Sequence, residues 1–229
     1  MKYNSVLKNI QEVDKAIEYL NSANLFPHQD RLKSWDTSKM IHILNKANRQ
    51  SYVLDVGCND CPILPMLSIL GFKELYGCDV NLTSSFISNL DTYGLSKHRL
   101  CIQNLENTTY ENEMFDYITS LSVIEHGVNI EKYFVEMNRV LKKEGLLLTS
   151  TDFWEEKLNT SNSRSFGLPD IIFSLDEIKD VINTAEKNGF KLIEPMDFTY
   201  KEKFVTGFHN DVDYTFLFFG LKKIKSLQS

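Results

Sequence analysis

The densest chemistry in the chain lies in nine residues, Val53-Leu54-Asp55-Val56-Gly57-Cys58-Asn59-Asp60-Cys61. A buried strand that ends in a carboxylate and then a glycine turn sets backbone N–H groups beside a ligand. Gly57 carries no Cβ, so ligand atoms can approach the main chain there, and Asp55 can accept from an amino group or water. Asp79 stands 22 positions beyond Gly57 (79 − 57). An acidic residue about 20 residues past such a turn is placed to bind ribose hydroxyls. Further along, Glu125-His126 supplies an imidazole suited to taking a proton from an acceptor. Cys58-x-x-Cys61, with Cys78 nearby, invites a zinc or redox reading. That spacing falls inside the glycine turn, where a metal would displace the ligand, so buried small cysteines and no metal are expected.

These residues need a scaffold that brings strand ends together, and the hydrophobic periodicity supplies one. Val6, Leu7, Ile10, Val13, Ile17 and Leu20 repeat at spacings of three and four, predicting an amphipathic helix. Pro27 closes that region, and a second helix is expected from an N-cap at Asp36 or Thr37, with Met40, Ile41 and Leu44 facing inward. From residue 51 the period changes. Strands are predicted at 52–56, 75–79, 100–102, 115–120 and 146–151, with helices at 63–70, 82–92, 129–142 and 175–188. Pro62 suits the first turn of a helix, and Gly145 is read as the stop of helix 129–142. Two closing strands, 190–193 and 214–221, have no helix between them and are expected to pair antiparallel at the sheet edge. Strands alternating with helices mean crossover connections and a mainly parallel sheet covered on both faces.

The order of motifs resembles the class I S-adenosylmethionine (SAM)-dependent methyltransferases. Their first strand and turn read hydrophobic-Leu-Asp-hydrophobic-Gly-Cys-Gly-x-Gly, and residues 53–58 match closely, with Asn59 and Cys61 in place of the later glycines. Asn tolerates left-handed backbone angles, so Cys61 is the larger departure. Asn104-Leu105-Glu106, Phe115–Ser120, Ser122-Val123-Ile124-Glu125-His126 and Met137–Gly145 resemble later segments in the same order. The resemblance implies a Rossmann-like α/β fold: seven strands, mostly parallel, with an antiparallel terminal strand and helices on both faces. It implies one compact domain with an N-terminal helical cap over 1–50 and the SAM-binding unit over 51–229. It also implies SAM as cofactor and S-adenosylhomocysteine as product. Asp79 would hold the ribose and Asn104 with Leu105 the adenine. Asp55, Gly57, Cys58, Asn59, Val80, Ser120 and Leu121 would form the rest of the cofactor site, with His126 catalytic. A nicotinamide dehydrogenase fits less well, since only Gly57 of Gly-x-Gly-x-x-Gly is present.

Gross properties narrow the acceptor. The 229 residues carry a net charge of −6, which argues against nucleic acid, whose backbone calls for a basic face. No apolar run reaches the roughly 18 residues that span a bilayer, no secretory signal is visible, and four cysteines make no disulfide scaffold. A cytoplasmic location is therefore expected, without membrane attachment, and the oligomeric state is left open. The basic residues Lys222, Lys223 and Lys225 read as a solvated strand end. A small-molecule acceptor is expected, methylated on a hydroxyl, such as a sugar or nucleotide-linked sugar. The polar stretch 152–170 leaves the carboxyl end of a strand and reads as a lid or a surface loop. With the segment around Trp35 it would roof the acceptor pocket, bringing Trp35, Trp154, Arg164 and His126 to one cavity, Arg164 facing a carboxylate or phosphate. Competing readings are a SAM-binding partner module without catalysis, and a protein or RNA methyltransferase.

Overall fold

Successive residues of a strand point to opposite faces, and in the central strands of this chain both faces are apolar. Val53, Leu148, Phe216 and Phe218 belong to one core, with Val13 and Leu20 of the first helix and Ile41 and Leu44 of the second. Their neighbours Leu54, Leu147, Leu217 and Phe219 belong to the other, with Phe134, Met137, Ile178 and Ala185 from two later helices. The result is a sheet buried between two helical layers.

The structure, a computed structural model, describes residues 2–95, 99–165, 167–206 and 212–227. In the central sheet β2 (Tyr52–Val56), β3 (Glu74–Asp79), β4 (Leu100–Ile102), β5 (Phe115–Leu121) and β6 (Leu141–Phe153) run parallel. β10 (Thr215–Lys223) pairs antiparallel with β6 on one side, and with β1 (Ser5–Val6) and β9 (Phe190–Leu192) on the other. The order β1-β10-β6-β5-β2-β3-β4 puts β2 inside the sheet, between β5 and β3. The chain winds outward from it to β3 and β4, then crosses over to β5 and β6. The carboxyl ends of β2 and β5 flank the reversal, where open α/β sheets leave a crevice.

The helices are α1 (Ile10–Ser22), α2 (Ser34–Leu44), α3 (Ile63–Ile69), α4 (Ser84–Thr92), α5 (Ile130–Val140) and α6 (Leu175–Lys187). Local capping explains several boundaries. Asn9 accepts from Glu12 N–H and starts α1, Asn129 does the same for α5, and Ser174 with Glu177 forms a reciprocal capping box on α6.

The Rossmann-like sheet is present, and several local expectations need correcting. Val6 lies in an edge strand and Leu7 just beyond it, outside the first helix. Asn4 accepts from Gly220 N–H, and Lys39 Nζ donates to Lys2 O, Tyr3 O and Ser5 Oγ, which pins this arm extended. The sheet therefore has eight strands, and β10 lies inside it, with only β9 and β1 beyond. α1 ends at Ser22, ahead of Pro27, and α2 begins at Ser34 because a 3-10 turn, Arg31–Lys33, feeds straight into it. Asp36 and Thr37 sit in its first turn, fully buried. α5 stops at Val140, not Gly145: Leu141 pairs with Phe115 and is already extended. Lys223 is buried, its ammonium donating to Asn138 O and Leu141 O and meeting Glu113, so it is no solvated tail.

Candidate active site

The turn after β2 is built to pass close to β3. Gly57 has φ +69°, the left-handed region, and the N–H groups of Gly57 and Cys58 both point to Cys78 O, at 2.8 and 3.2 Å. A Cβ on Gly57 would lie 2.4 Å from Val123 Cγ2, so glycine is required by the neighbouring turn as well as by its own backbone. The second left-handed residue is Asp60, not Asn59. Asn59 instead donates its N–H to Asp79 Oδ2 at 3.0 Å and accepts from Thr83 N–H at 2.9 Å. The other Asp79 oxygen accepts from Asn81 N–H at 2.9 Å. One carboxylate thereby ties together the two turns that leave β2 and β3.

In front of these turns lies a cavity of about 440 Å³. Its cofactor-like end is walled by Gly57, Asn59, Asp79 and Val80, and beyond them by Asn104 and Leu105. The rest of its lining includes Leu121, Ser122 and His126, together with His28, Lys33 and Leu168. Asp55, Cys58 and Ser120 do not line it; all three are fully buried behind the wall. Thr119 Oγ1 donates to Asp55 at 2.6 Å, but burial prevails and pushes the carboxyl up to about 7. Burial likewise lifts the thiols of Cys58, Cys61 and Cys78 far above their ordinary range. Among the described residues no group of three or more His, Cys, Asp and Glu could hold a metal ion.

His126 meets a partner that its sequence context does not reveal. Its Nδ1 lies 2.8 Å from Asp170 Oδ1. Burial alone would raise Asp170, yet hydrogen bonds from Ser163 and His126 hold it below the ordinary carboxylate range. Asp170 follows a small hairpin, β7 (Arg164–Ser165) and β8 (Leu168–Pro169). The stretch is anchored where Ile171 N–H donates to Glu125 O and Thr160 Oγ1 donates to Asp170 O. Gly127, at φ +71°, gives Leu168 its place, since a Cβ there would sit 2.7 Å from Leu168 Cβ. The stretch 152–170 is thus more structured than a surface loop. Asp152 and Phe153 belong to β6, and Phe166 lies outside the described residues.

The four residues expected to share a cavity are not brought together. Trp35 is only 2% exposed, its indole N–H goes to Glu12 at 3.1 Å, and it borders a separate cavity of about 250 Å³ with Lys8 and Lys39. Trp154 stacks edge-on with Tyr200. Arg164 is exposed on β7. Only His126 reaches the main cavity. The amino-terminal contribution comes instead from His28, Asp30 and Lys33, around the 3-10 turn. No recognisable motif marks those three.

Beside Lys33 lies a buried acidic cluster of Asp36, Glu125 and Asp152. Burial raises Asp36, with Lys33 opposing, and pushes Glu125 up to about 7, with Asp152 adding to the rise. Thr151 Oγ1 donates to Glu125 at 3.0 Å. Ser122, at φ +53°, is a non-glycine residue in left-handed backbone right on the cavity wall, a conformation that surrounding structure must enforce.

The cavity suits the expected cofactor on its own chemistry. Asp79 faces it with acceptor oxygens for ribose hydroxyls, Asn104 and Leu105 offer an amide and backbone for a base, and Asp30, Asp60 and Glu106 make the walls acidic for a cationic sulfonium. Comparison with known proteins agrees. Residues 54–149 match a family model described as a methyltransferase domain. A ubiquinone biosynthesis O-methyltransferase of Rickettsia prowazekii (strain Madrid E) is 26% identical over 178 residues, 65% of this chain and 68% of that protein. A SAM-dependent methyltransferase from Methanosarcina mazei superposes with TM-score 0.57 at 15% identity, covering 80% of this chain and 97% of the other. A Burkholderia thailandensis 1,6-didemethyltoxoflavin-N1-methyltransferase, solved with S-adenosylhomocysteine, superposes with TM-score 0.61 at 11% identity, covering 94% and 88%. No helix among the described residues is long and apolar enough to cross a membrane.

Proposed function

We propose that this chain is an enzyme of the class I SAM-dependent methyltransferases and that it methylates a hydroxyl oxygen of a small molecule, with His126 as the base. The observation that carries the reading is the His126–Asp170 pair at 2.8 Å on the wall of the cofactor cavity. A proton on Nδ1 directed at Asp170 leaves the lone pair of the neutral ring on Nε2. The carboxylate fixes that tautomer and stabilises the imidazolium that forms when the acceptor hydroxyl gives up its proton. Bound SAM supplies a methyl group already activated on a sulfonium, so no covalent enzyme intermediate is needed. The work left to the chain is alignment, exclusion of water and removal of one proton. An oxygen acceptor is the kind that gains from such a base, and the Rickettsia relatives carry O-methyltransferase names.

On this reading Asp79 holds the ribose, and Asn104 with Leu105 the adenine. Gly57, Asn59, Val80 and Leu121 shape the cavity around the rest. Asp55, Cys58 and Ser120 act from behind, as supports of that wall. Sugars, nucleotide-linked sugars and aromatic hydroxyls are all within the acceptor class. The test is transfer of labelled methyl from SAM to a panel of these, with amines as the contrasting set. O-methylated product is expected, and His126→Ala should lower kcat by about 10²-fold or more, with the affinity for S-adenosylhomocysteine kept within threefold. Exclusive N-methylation, or a His126→Ala enzyme within threefold of the original, would overturn the assignment.

A further inference from the structure

Both His28 and His126 line the cavity, and the two imidazoles are held in opposite senses. With Nδ1 of His126 turned to Asp170, the nitrogen left for a ligand is an acceptor. His28 is the reverse. The backbone N–H of Asp30 donates to its Nδ1 at 2.9 Å. A nitrogen that accepts carries no hydrogen, so the ring hydrogen of His28 is on Nε2. Burial lowers the pKa of this ring and prevails over the pull of Asp36, which keeps it uncharged at neutral pH. The residue is held from its backbone as well. Its N–H donates to Ser34 Oγ at 3.0 Å, and Ser34 is buried at the start of α2. Asp30 in turn accepts from Leu32 N–H at 3.0 Å and caps the 3-10 turn. Position and tautomer of His28 are therefore both set by local structure. Its lone pair is tied to Asp30, so it cannot act as a base; what it offers a ligand is one neutral N–H.

We infer that His28 is a specificity-determining residue of this cleft, donating its Nε2–H to a second oxygen of the acceptor, one that is not methylated. The inference rests on the reading of this cavity as the site of hydroxyl methylation, and it narrows that acceptor class. The favoured compounds carry an ether, carbonyl or second hydroxyl oxygen besides the hydroxyl that gives up its proton to His126. A compound with a methylene in place of that oxygen displaces water from Nε2–H and returns no partner, which is how a polar site rejects an apolar analogue.

Calorimetry on the full chain saturated with S-adenosylhomocysteine tests this with 2- and 3-methoxyphenol and their counterparts 2- and 3-ethylphenol. Within each pair a methylene replaces the ether oxygen at nearly constant shape. For at least one pair, the affinity of the methoxy compound relative to the ethyl compound should fall by about fivefold or more in His28→Asn. The Asn side-chain oxygen can still accept from the N–H two residues on, so the turn at Asp30 is kept and only the Nε2 donor is lost. His28→Gln, whose amide nitrogen extends to the Nε2 position, should recover most of the preference. The unaltered protein provides a second measurement. Its ¹⁵N-histidine spectrum should show His28 with Nε2 protonated and Nδ1 bare, and the Nε2 signal should move with a methoxy compound and stay in place with its ethyl counterpart. An affinity ratio unchanged in His28→Asn, no binding of any of the four compounds, or a proton on Nδ1 of His28 would overturn the inference. Failure of the O-methylation reading would appear differently, as N-methylated product or an unimpaired His126→Ala enzyme with the affinity ratio still dependent on His28.

Discussion

Replacing Asp79 with alanine should weaken S-adenosylhomocysteine by a factor that the geometry allows to be bounded. Each carboxylate oxygen already accepts one backbone N–H, from Asn59 at 3.0 Å and Asn81 at 2.9 Å. A carboxylate oxygen has two lone pairs, so each oxygen keeps one for the cavity, enough for two vicinal hydroxyls. Hydrogen bonds to a charged group contribute about 1.5–3 kcal/mol, which at 1.4 kcal/mol per decade is roughly 10–150-fold in Kd. The loss of the two turn bonds adds a second effect, loosening of the β2 and β3 turns, which must be told apart from ribose recognition. A double-mutant cycle does so. The unaltered protein should bind S-adenosylhomocysteine 10-fold or more tightly than its 2′,3′-dideoxy analogue, measured by calorimetry. In Asp79→Ala that preference should collapse to near unity, whatever the overall loss. A preference that survives the substitution would place the ribose elsewhere and refute the argument.

Three further outcomes follow from named contacts. Gly57→Val puts a branched side chain at φ +69° against Val123; strain of about 2 kcal/mol or more should lower Tm by roughly 4–8 °C and abolish cofactor binding, and unchanged melting and binding would contradict the turn geometry. For Asp55, the folded carboxyl at about 7 exceeds its ordinary 3.8, so the folded state holds a proton that the unfolded chain releases. Stability from this group therefore falls as pH rises from about 4 to 7. Asp55→Asn cannot ionise, so its Tm relative to the unaltered protein should climb over that window, and a pH-independent difference would show that burial does not govern this group. Saturating S-adenosylhomocysteine should slow proteolysis within 160–170, and Gly127→Val, which pushes on Leu168, should speed it; equal rates in all states would exclude a ligand-linked hairpin.

Much of the fold could be read from the sequence because its signals are local. The strand at 52–56 and the helix at 175–188 carry their boundaries in neighbouring residues: apolar alternation and Gly57 for one, the Ser174–Glu177 box for the other. Where the reading failed, a distant partner overrode a local pattern. Val6 and Leu7 fit a helical stripe, but Asn4 and Lys39 hold that arm extended against β10. The helix expected over 129–142 has Gly145 as its stop, but pairing of Leu141 with Phe115 ends it two residues sooner (142 − 140). Lys223 resembles a solvated tail by composition, and only the tertiary structure supplies the carbonyls that accept its protons.

The same distinction divides the site. The cofactor half is assembled from turns that directly follow β2, β3 and β4, so the order of motifs along the chain is also their order in space. Gly57, Asp79 and Asn104 are therefore legible together. The rest of the cavity wall is assembled from connections that meet only because the sheet order brings them there. Asp170 reaches His126 from 44 residues away and Lys33 reaches Ser122 across 89. Periodicity reports which face of an element is buried, and nothing about which connection will cross in front of a strand end. Residue type misleads at the same point. Trp35 and Trp154 are the large amphipathic side chains that pockets favour, yet each satisfies its needs internally, Trp35 through Glu12 and Trp154 against Tyr200. His28, Lys33, Ser122 and His126 line the cavity instead, and they gain meaning only from the company the fold gives them. On the proposed reading, a change at Asp170 should therefore alter proton handling by His126 while the turns after β2, β3 and β4 stay intact.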